Sequence, residues 1–259
     1  MRWLNTERKP SIAELTAHGP VLVHFFDFAQ LNSVRALPYL LAWEERYGEL
    51  GLTTLGIHSP RYSFTAQREA LPPALARLGV RHPVADDSGY AIWRDYGCRG
   101  WPSLFLWGQG GALAWYHFGE GGYAATETAI QDELRTLDAT LTLPAEPLAP
   151  LRPSDAPSAL VAPPSEELFP GGSASEPWHP SGPGDQLRIE YAAGGAHASL
   201  AGMGELRFAL DDAPEQTVAL AAPGLADLAI HPRHSEHSLL LRPGDGLELY
   251  SVSFSAGVP

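Results

Sequence analysis

The chain has 259 residues, 44% of them hydrophobic, and a formal net charge of −13. That length suits one large or two modest domains, and the negative field disfavours nucleic acid and anionic membrane surfaces as partners. Cys98 is the only cysteine, which excludes an intrachain disulfide and a cysteine-based zinc site.

Alternating strand and helix patterns occupy the first half. Val21-Leu22-Val23-His24-Phe25-Phe26 reads as a buried central strand, and Ser33–Tyr47 as a helix with Pro38 inside it. Leu52–Ile57 is a second strand. Residues 64–78 form a candidate helix interrupted near Pro72-Pro73. Leu104–Trp107 and Leu113–Phe118 flank a glycine-rich turn as a hairpin, and residues 124–138 close the unit as an amphipathic helix.

Eleven of the 24 prolines fall between Leu143 and Pro183, the composition of a semi-extended linker. Leu168-Phe169 and Trp178 within it are apolar enough to dock on a neighbour. From Asp185 onward, short alternating segments (LRIEYA, GELRFALDD, QTVALAA, HSLLLRP, LELYSVSFS) are separated by turns, the pattern of a small β-sandwich. The expected organisation is an α/β domain over 1–142, a linker over 143–184 and the sandwich over 185–259. The N-terminus, MRWLNTERKPSIAEL, has no apolar signal core, and no apolar run is long enough to span a bilayer, so the expected location is cytoplasmic.

An ordered set of short motifs carries a family resemblance: WLNT at 3–6, VLVHFF at 21–26, VRALPYLLAW at 34–43, LGIHSP at 55–60, HPVADDSGYAIWRDYG at 82–97, Trp101-Pro102, and HFGEGGY at 117–123. With these, the first half resembles the thioredoxin-like domain of the DipZ group, relatives of the TlpA/ResA-type thiol–disulfide proteins. The resemblance implies a central sheet flanked by helices, followed by a carbohydrate-binding-module-like, jelly-roll-like sandwich. In that family a Cys-x-x-Cys opens the kinked helix, with a proline five residues after the second cysteine. Counting back from Pro38 places the two cysteines at Gln30 and Ser33, so both sulfurs are missing. The family's buried acid falls at His24. Disulfide exchange needs an attacking thiolate and a resolving thiol, and neither position supplies one. Pro102 matches the family's cis-proline.

Several candidate sites follow. Phe28, Gln30, Asn32, Ser33, Trp101 and Pro102 are expected to form a shallow groove, partly open to solvent, that binds a protein segment or small ligand without reacting. Phe26 and Tyr39 are further candidates to line it. Cys98 reads as a buried core residue, against the rival of a single-cysteine redoxin-type oxidoreductase near the Pro102 loop. His231, His234 and His237 carry three imidazoles, but Pro232 points to a polar loop rather than a metal site. His24 reads as a neutral core histidine. No cofactor is expected. The leading reading is a non-catalytic binding protein; a third makes the sandwich a glycan binder.

Overall fold

The computed structural model describes residues 2–180, 182 and 184–259; Met1, Ser181 and Pro183, the last two inside the expected linker, lie outside the described residues. The chain divides into two compact units. The first comprises Met1–Phe28, Asn32–Pro60 and Leu75–Ala149, and the second Ala29–Leu31, Arg61–Ala74 and Pro150–Pro259.

The first unit is a thioredoxin-like α/β domain. Its strands are β1 (Arg2–Leu4), β2 (Val21–Phe26), β3 (Thr53–His58), β4 (Val84–Asp86), β5 (Ser103–Trp107) and β6 (Leu113–Phe118), in the sheet order β1-β4-β3-β2-β5-β6. The continuous run Val21–Phe26 is buried at every position, as a central strand covered on both faces must be. It runs parallel to β3 and antiparallel to β5. The connecting helices are α1 (Ile12–Thr16), α2 (Leu31–Tyr47), α3 (Leu71–Arg77), α4 (Ala91–Asp95) and α5 (Tyr123–Leu137).

Two sequence expectations shift. The helix expected over 64–78 is only α3. Pro72 and Pro73 stand in its first turn, where no intrahelical donor is needed, so they start the helix rather than interrupt it. The helix expected from Ser33 begins at Leu31 and continues through Pro38, whose side is exposed.

Pleating sorts the sheet's two faces. Val21, Val23 and Phe25 join Leu55, Ile57, Ala85, Cys98 and Phe105 in one apolar cluster, bordered by Trp93, Tyr96 and Trp107. Leu22, His24 and Phe26 point the other way, in register with Thr54, Gly56 and His58. This second face lies toward α2, since His82 connects His24 to Glu44 on that helix.

The second unit is an all-antiparallel β domain. Its strands are β7 (Leu187–Gly202), β8 (Gly204–Leu210), β9 (Gln216–Leu220), β10 (Gly224–Pro243) and β11 (Leu247–Ser255), in the order β11-β7-β10-β8-β9. β7 and β10 are longer than the short strands expected, at 16 and 20 residues. Bulges interrupt their pairing between Asp227 and Ala229 and between Ile230 and Ser235. On one side of the second bulge β10 is flanked by β7 and β8; on the other, β7 is flanked by β10 and β11. Both halves feed one core, which includes Ile189, Leu200, Leu206, Leu239, Leu249 and Val252. The bulge explains how β10 absorbs Pro232, and it moves His231–His237 from the expected loop into a strand.

The proline-rich stretch contains one short 3-10 turn, Pro153–Asp155, among its described residues. From Ala162 onward it is strapped to the second unit by isolated bridges, Ala162 to Gly257, Leu168 to Val252 and Trp178 to Leu249. Trp178 packs against the apolar core.

Candidate functional site

Gln30 and Ser33, where the resemblance places two cysteines, stand at the start of α2. Phe28, Gln30 and Ser33 are buried, with Gln30 retaining 5% exposure and Ser33 1%. Ser33 Oγ accepts the Asp27 backbone N–H at 3.2 Å, so the hydroxyl closes the loop that enters the helix. Pro102 is buried as well, while Asn32 and Trp101 are half-buried. The groove expected to be open to solvent is therefore open at Asn32 and Trp101 alone among these six. Phe28, Asn32, Ser33, Trp101 and Pro102 belong to the first unit; Gln30, with Ala29 and Leu31, belongs to the second. There the Ala29 carbonyl accepts a hydrogen bond from Ser199 Oγ at 2.8 Å. Phe26 and Tyr39 are core residues instead of groove lining, with Tyr39 stacked on Tyr123 at 3.7 Å.

The Trp101–Pro102 peptide is cis. Trp101 is held from two sides: its indole N–H donates to the Ser59 carbonyl at 2.7 Å, and its ring meets Trp93 at 4.5 Å. Trp101 is thus a fixed, partly exposed apolar surface on a polar anchor.

Cys98 lies in the apolar cluster of the opposite face of the sheet from α2. Burial, reinforced by the negative charge of Asp87 and only partly countered by a hydrogen bond from Ser103, pushes its thiol up to about 12. At neutral pH it supplies essentially no thiolate, the species that redox chemistry needs. Both position and protonation oppose the single-cysteine oxidoreductase reading.

His24 belongs to a buried polar chain. Its Nε2 meets His82 Nε2 at 2.8 Å, and His82 Nδ1 meets Glu44 Oε2 at 2.9 Å. The network assigns the tautomers: His82 donates from Nδ1 to the carboxylate, so its Nε2 accepts from His24 Nε2–H. Burial, then the neighbouring His82, hold His24 well below the usual histidine value. Gly56 makes room for the pair, because a Cβ there would stand 3.1 Å from His24 Nε2. His58 shares this face, stacked on Phe28 at 5.3 Å with neither ring nitrogen hydrogen-bonded. Burial lowers its pKa, against the pull of Asp27, Asp86 and Asp87. Sequence reasoning missed His58, His82 and Glu44. LGIHSP and HPVADD marked the two histidines as motif members, but nothing local marked them as neighbours of His24.

In the second unit, His231 and His237 stack face to face at 3.6 Å. His231 Nε2 meets Tyr191 Oη at 2.8 Å, and His237 Nδ1 meets Asp211 Oδ2 at 2.6 Å. His234 stands apart from that pair, its backbone N–H donating to the Val258 carbonyl. Among the described residues, no group of three or more His, Cys, Asp or Glu is arranged to hold a metal ion. A third array joins Asp227 Oδ1 to His197 Nδ1 at 2.7 Å and His197 Nε2 to Ser255 Oγ at 3.2 Å. Its atoms match a nucleophilic triad, but its burial is reversed: Ser255 is 3% exposed and the Asp227 side chain 72%. A substrate has no approach to that hydroxyl, and the array serves packing.

No family model matches the chain. Protein DipZ of Mycobacterium bovis is 26% identical over 287 residues, a match covering 97% of this chain and 41% of that protein. The chain thus spans about two-fifths of that relative's length. NHL repeat-containing protein 2 of Bos taurus is 30% identical over 122 residues, or 47% of this chain and 17% of its own. Among solved structures, a putative thiol:disulfide interchange protein DsbE from Chlorobium tepidum aligns with TM-score 0.42 and 21% identity, over 46% of this chain and 82% of that one. A thiol-disulfide isomerase from Corynebacterium glutamicum aligns with TM-score 0.46 and 20% identity, over 52% and 91%. The likeness to DipZ runs nearly the whole length of this chain, whereas that to NHL repeat-containing protein 2 covers about half of it.

Proposed function

We propose that this chain has given up disulfide exchange and acts by noncovalent binding, with Trp101 as the contact for a protein segment or small ligand. One observation carries the reading. The sole thiol, Cys98, is buried on the face of the sheet away from α2 and pushed up to about 12, while Gln30 and Ser33 stand where the resemblance places the two cysteines. Gln30 and Ser33 can exchange hydrogen bonds but not electrons. Trp101, anchored through Ser59 and backed by Trp93, offers an immobile aromatic surface of the kind that dominates binding energy in interfaces.

The test has two arms. The wild-type chain and Cys98→Ser should both leave insulin reduction by dithiothreitol at background; acceleration that survives Cys98→Ser would overturn the reading. Binding of an isolated partner should persist in excess dithiothreitol and weaken by about 1–3 kcal/mol on Trp101→Ala. Binding that vanishes on reduction, or is indifferent to Trp101, would equally sink it.

A further inference from the structure

Two histidines at the β10 bulge form a pair whose surroundings accommodate one positive charge but not two. Tyr191 on β7 stands opposite His237 on β10, and His231, at the edge of the bulge, stacks its ring on His237 at 3.6 Å and 9°. Hydrogen bonds fix where the protons sit. Burial, then the Asp211 charge, raise the Tyr191 hydroxyl above the ordinary phenol value, so it stays protonated and donates to His231 Nε2 at 2.8 Å. Neutral His231 therefore carries its proton on Nδ1, and Nε2 is the atom that a further proton must take. His237 Nδ1–H donates to Asp211 Oδ2 at 2.6 Å, and His237 Nε2 accepts from Ser235 Oγ at 2.8 Å.

Few charges face the pair. Asp211 comes from the turn after β8. From β11 the packed ring is Phe254, stacked on Tyr191 at 4.7 Å. Arg233, inside the bulge, donates instead to the Pro259 oxygen at 3.1 Å. Arg188, Glu190 and Glu236 alternate to the other face of the β7–β10 ladder. Among the described residues, Asp211 is thus the acid that touches the pair, and it is already bonded to His237. One carboxylate offsets one imidazolium. A second imidazolium would lie face to face with the first and have no acid of its own.

The bulge also anchors the end of the chain. The His234 N–H donates to the Val258 carbonyl at 2.7 Å, and the Ala162 N–H of the strap donates to the Gly257 carbonyl at 2.9 Å. A Cβ at Gly257 would stand 3.0 Å from the His234 nitrogen, so the last residues thread closely between bulge and strap.

We propose that the His231–His237 stack is an acid-operated latch. With at most one proton added to the pair, the stack holds the bulge closed on the last residues of the chain. A second added proton breaks the stack and frees residues 231–235, and with them the seat of Gly257 at the strap's first bridge. Burial, then His237, hold His231 below the ordinary 6.5, against the pull of Asp211. The closed form is therefore favoured fully above about pH 6.5 and loses that advantage as pH falls through the lower folded value.

Amide exchange on the full chain, expressed as protection factors, tests the latch. From about pH 7.5 to about pH 5, protection of the His234 and Ala162 amides should fall about tenfold, while the amides of Leu239 and Leu241, buried in β10, change far less. His231→Phe keeps a ring on His237 but takes no proton, and should hold both amides protected at the lower pH. Asp211→Asn keeps an acceptor for the Ser238 N–H but removes the charge that offsets the first proton. Even that proton then opens the latch, and the midpoint should rise by about half a pH unit or more. Ring nitrogen shifts of the wild type need no substitution: the second imidazole should gain its proton only as the His234 amide loses protection. Protection independent of pH, equal loss in His231→Phe, an unmoved midpoint in Asp211→Asn, or two charged rings beside a still protected His234 amide would each overturn the proposal.

Discussion

The two faces of the first sheet solve the same packing problem with opposite chemistry. Toward α2, polar groups are buried in ordered sets: His24, His82 and Glu44 in one chain, and Trp43, Arg46, Tyr47 and the Leu148 N–H around the Glu127 carboxylate. The opposite face is aliphatic and aromatic, with Phe25, Phe105, Trp93 and Tyr96 around a single sulfur. The difference teaches where chemistry can reside. The groups able to exchange protons lie on the α2 face, and Cys98, the sole cysteine, lies on the other.

Breaking the polar face should cost most. Glu127 is 1% exposed and accepts four hydrogen bonds, so Glu127→Leu strands an indole N–H, a guanidinium and a phenol. The expected loss is about 3–5 kcal/mol, read as a drop in the urea midpoint. The next effect is acid sensitivity. His24 and His58 are held below the ordinary value of 6.5 by burial, so the unfolded chain binds more protons than the folded one at mildly acidic pH. Their neutral forms favour the fold fully above about pH 6.5, and that contribution falls away as pH drops toward the depressed folded values. Unfolding free energy measured from pH 7.5 to 5 should decline accordingly, and His24→Leu should remove roughly one proton from the uptake on unfolding. A flat profile would show that the histidines are not buried neutral.

Smaller effects sharpen the contrast. Ser33→Ala leaves the Asp27 N–H without the hydroxyl that accepts it and should cost about 1–2 kcal/mol in the same melt. Cys98→Ala, on the apolar face, should cost about 1 kcal/mol and change no binding property. The native thiol should resist a disulfide-exchange reagent until the chain unfolds; rapid native labelling would erase the distinction between the faces.

Much of the fold was legible where burial is one-dimensional. Val21–Phe26 and Leu113–Phe118 match β2 and β6 to the residue, and LELYSVSFS is β11. Four elements of three to five residues, β1, β4, α1 and α4, were not legible, being too short for a convincing pattern and owing their form to neighbours. α4 illustrates this, since its first N–H groups at Ile92 and Trp93 are satisfied by Asp87 from outside the helix. β7 was read only as far as its first six residues. The Ala-Gly-Gly-Ala that follows lacks alternation because the strand crosses from one half of the sheet to the other there. At the site, the Pro38-containing helix and the cis Trp101–Pro102 bond were legible from order and spacing, while the placement of Gln30 and Ser33 rests on the resemblance. Their burial was not legible, because Ser33 and Gln30 are polar residues of a kind that sequence places on surfaces.

The strap along β11 has a mechanical consequence. Its bridges at Ala162, Leu168 and Trp178 are isolated contacts separated by prolines and turns, not a continuous ladder. A continuous ladder pulled along its length resists in shear, with all bonds loaded together. This strap, drawn away from its residue-150 end, carries load at one bridge at a time, like a row of press-studs. Load applied at the residue-150 end alone would therefore reach the bridges in turn, Ala162 first and the Trp178 anchor last.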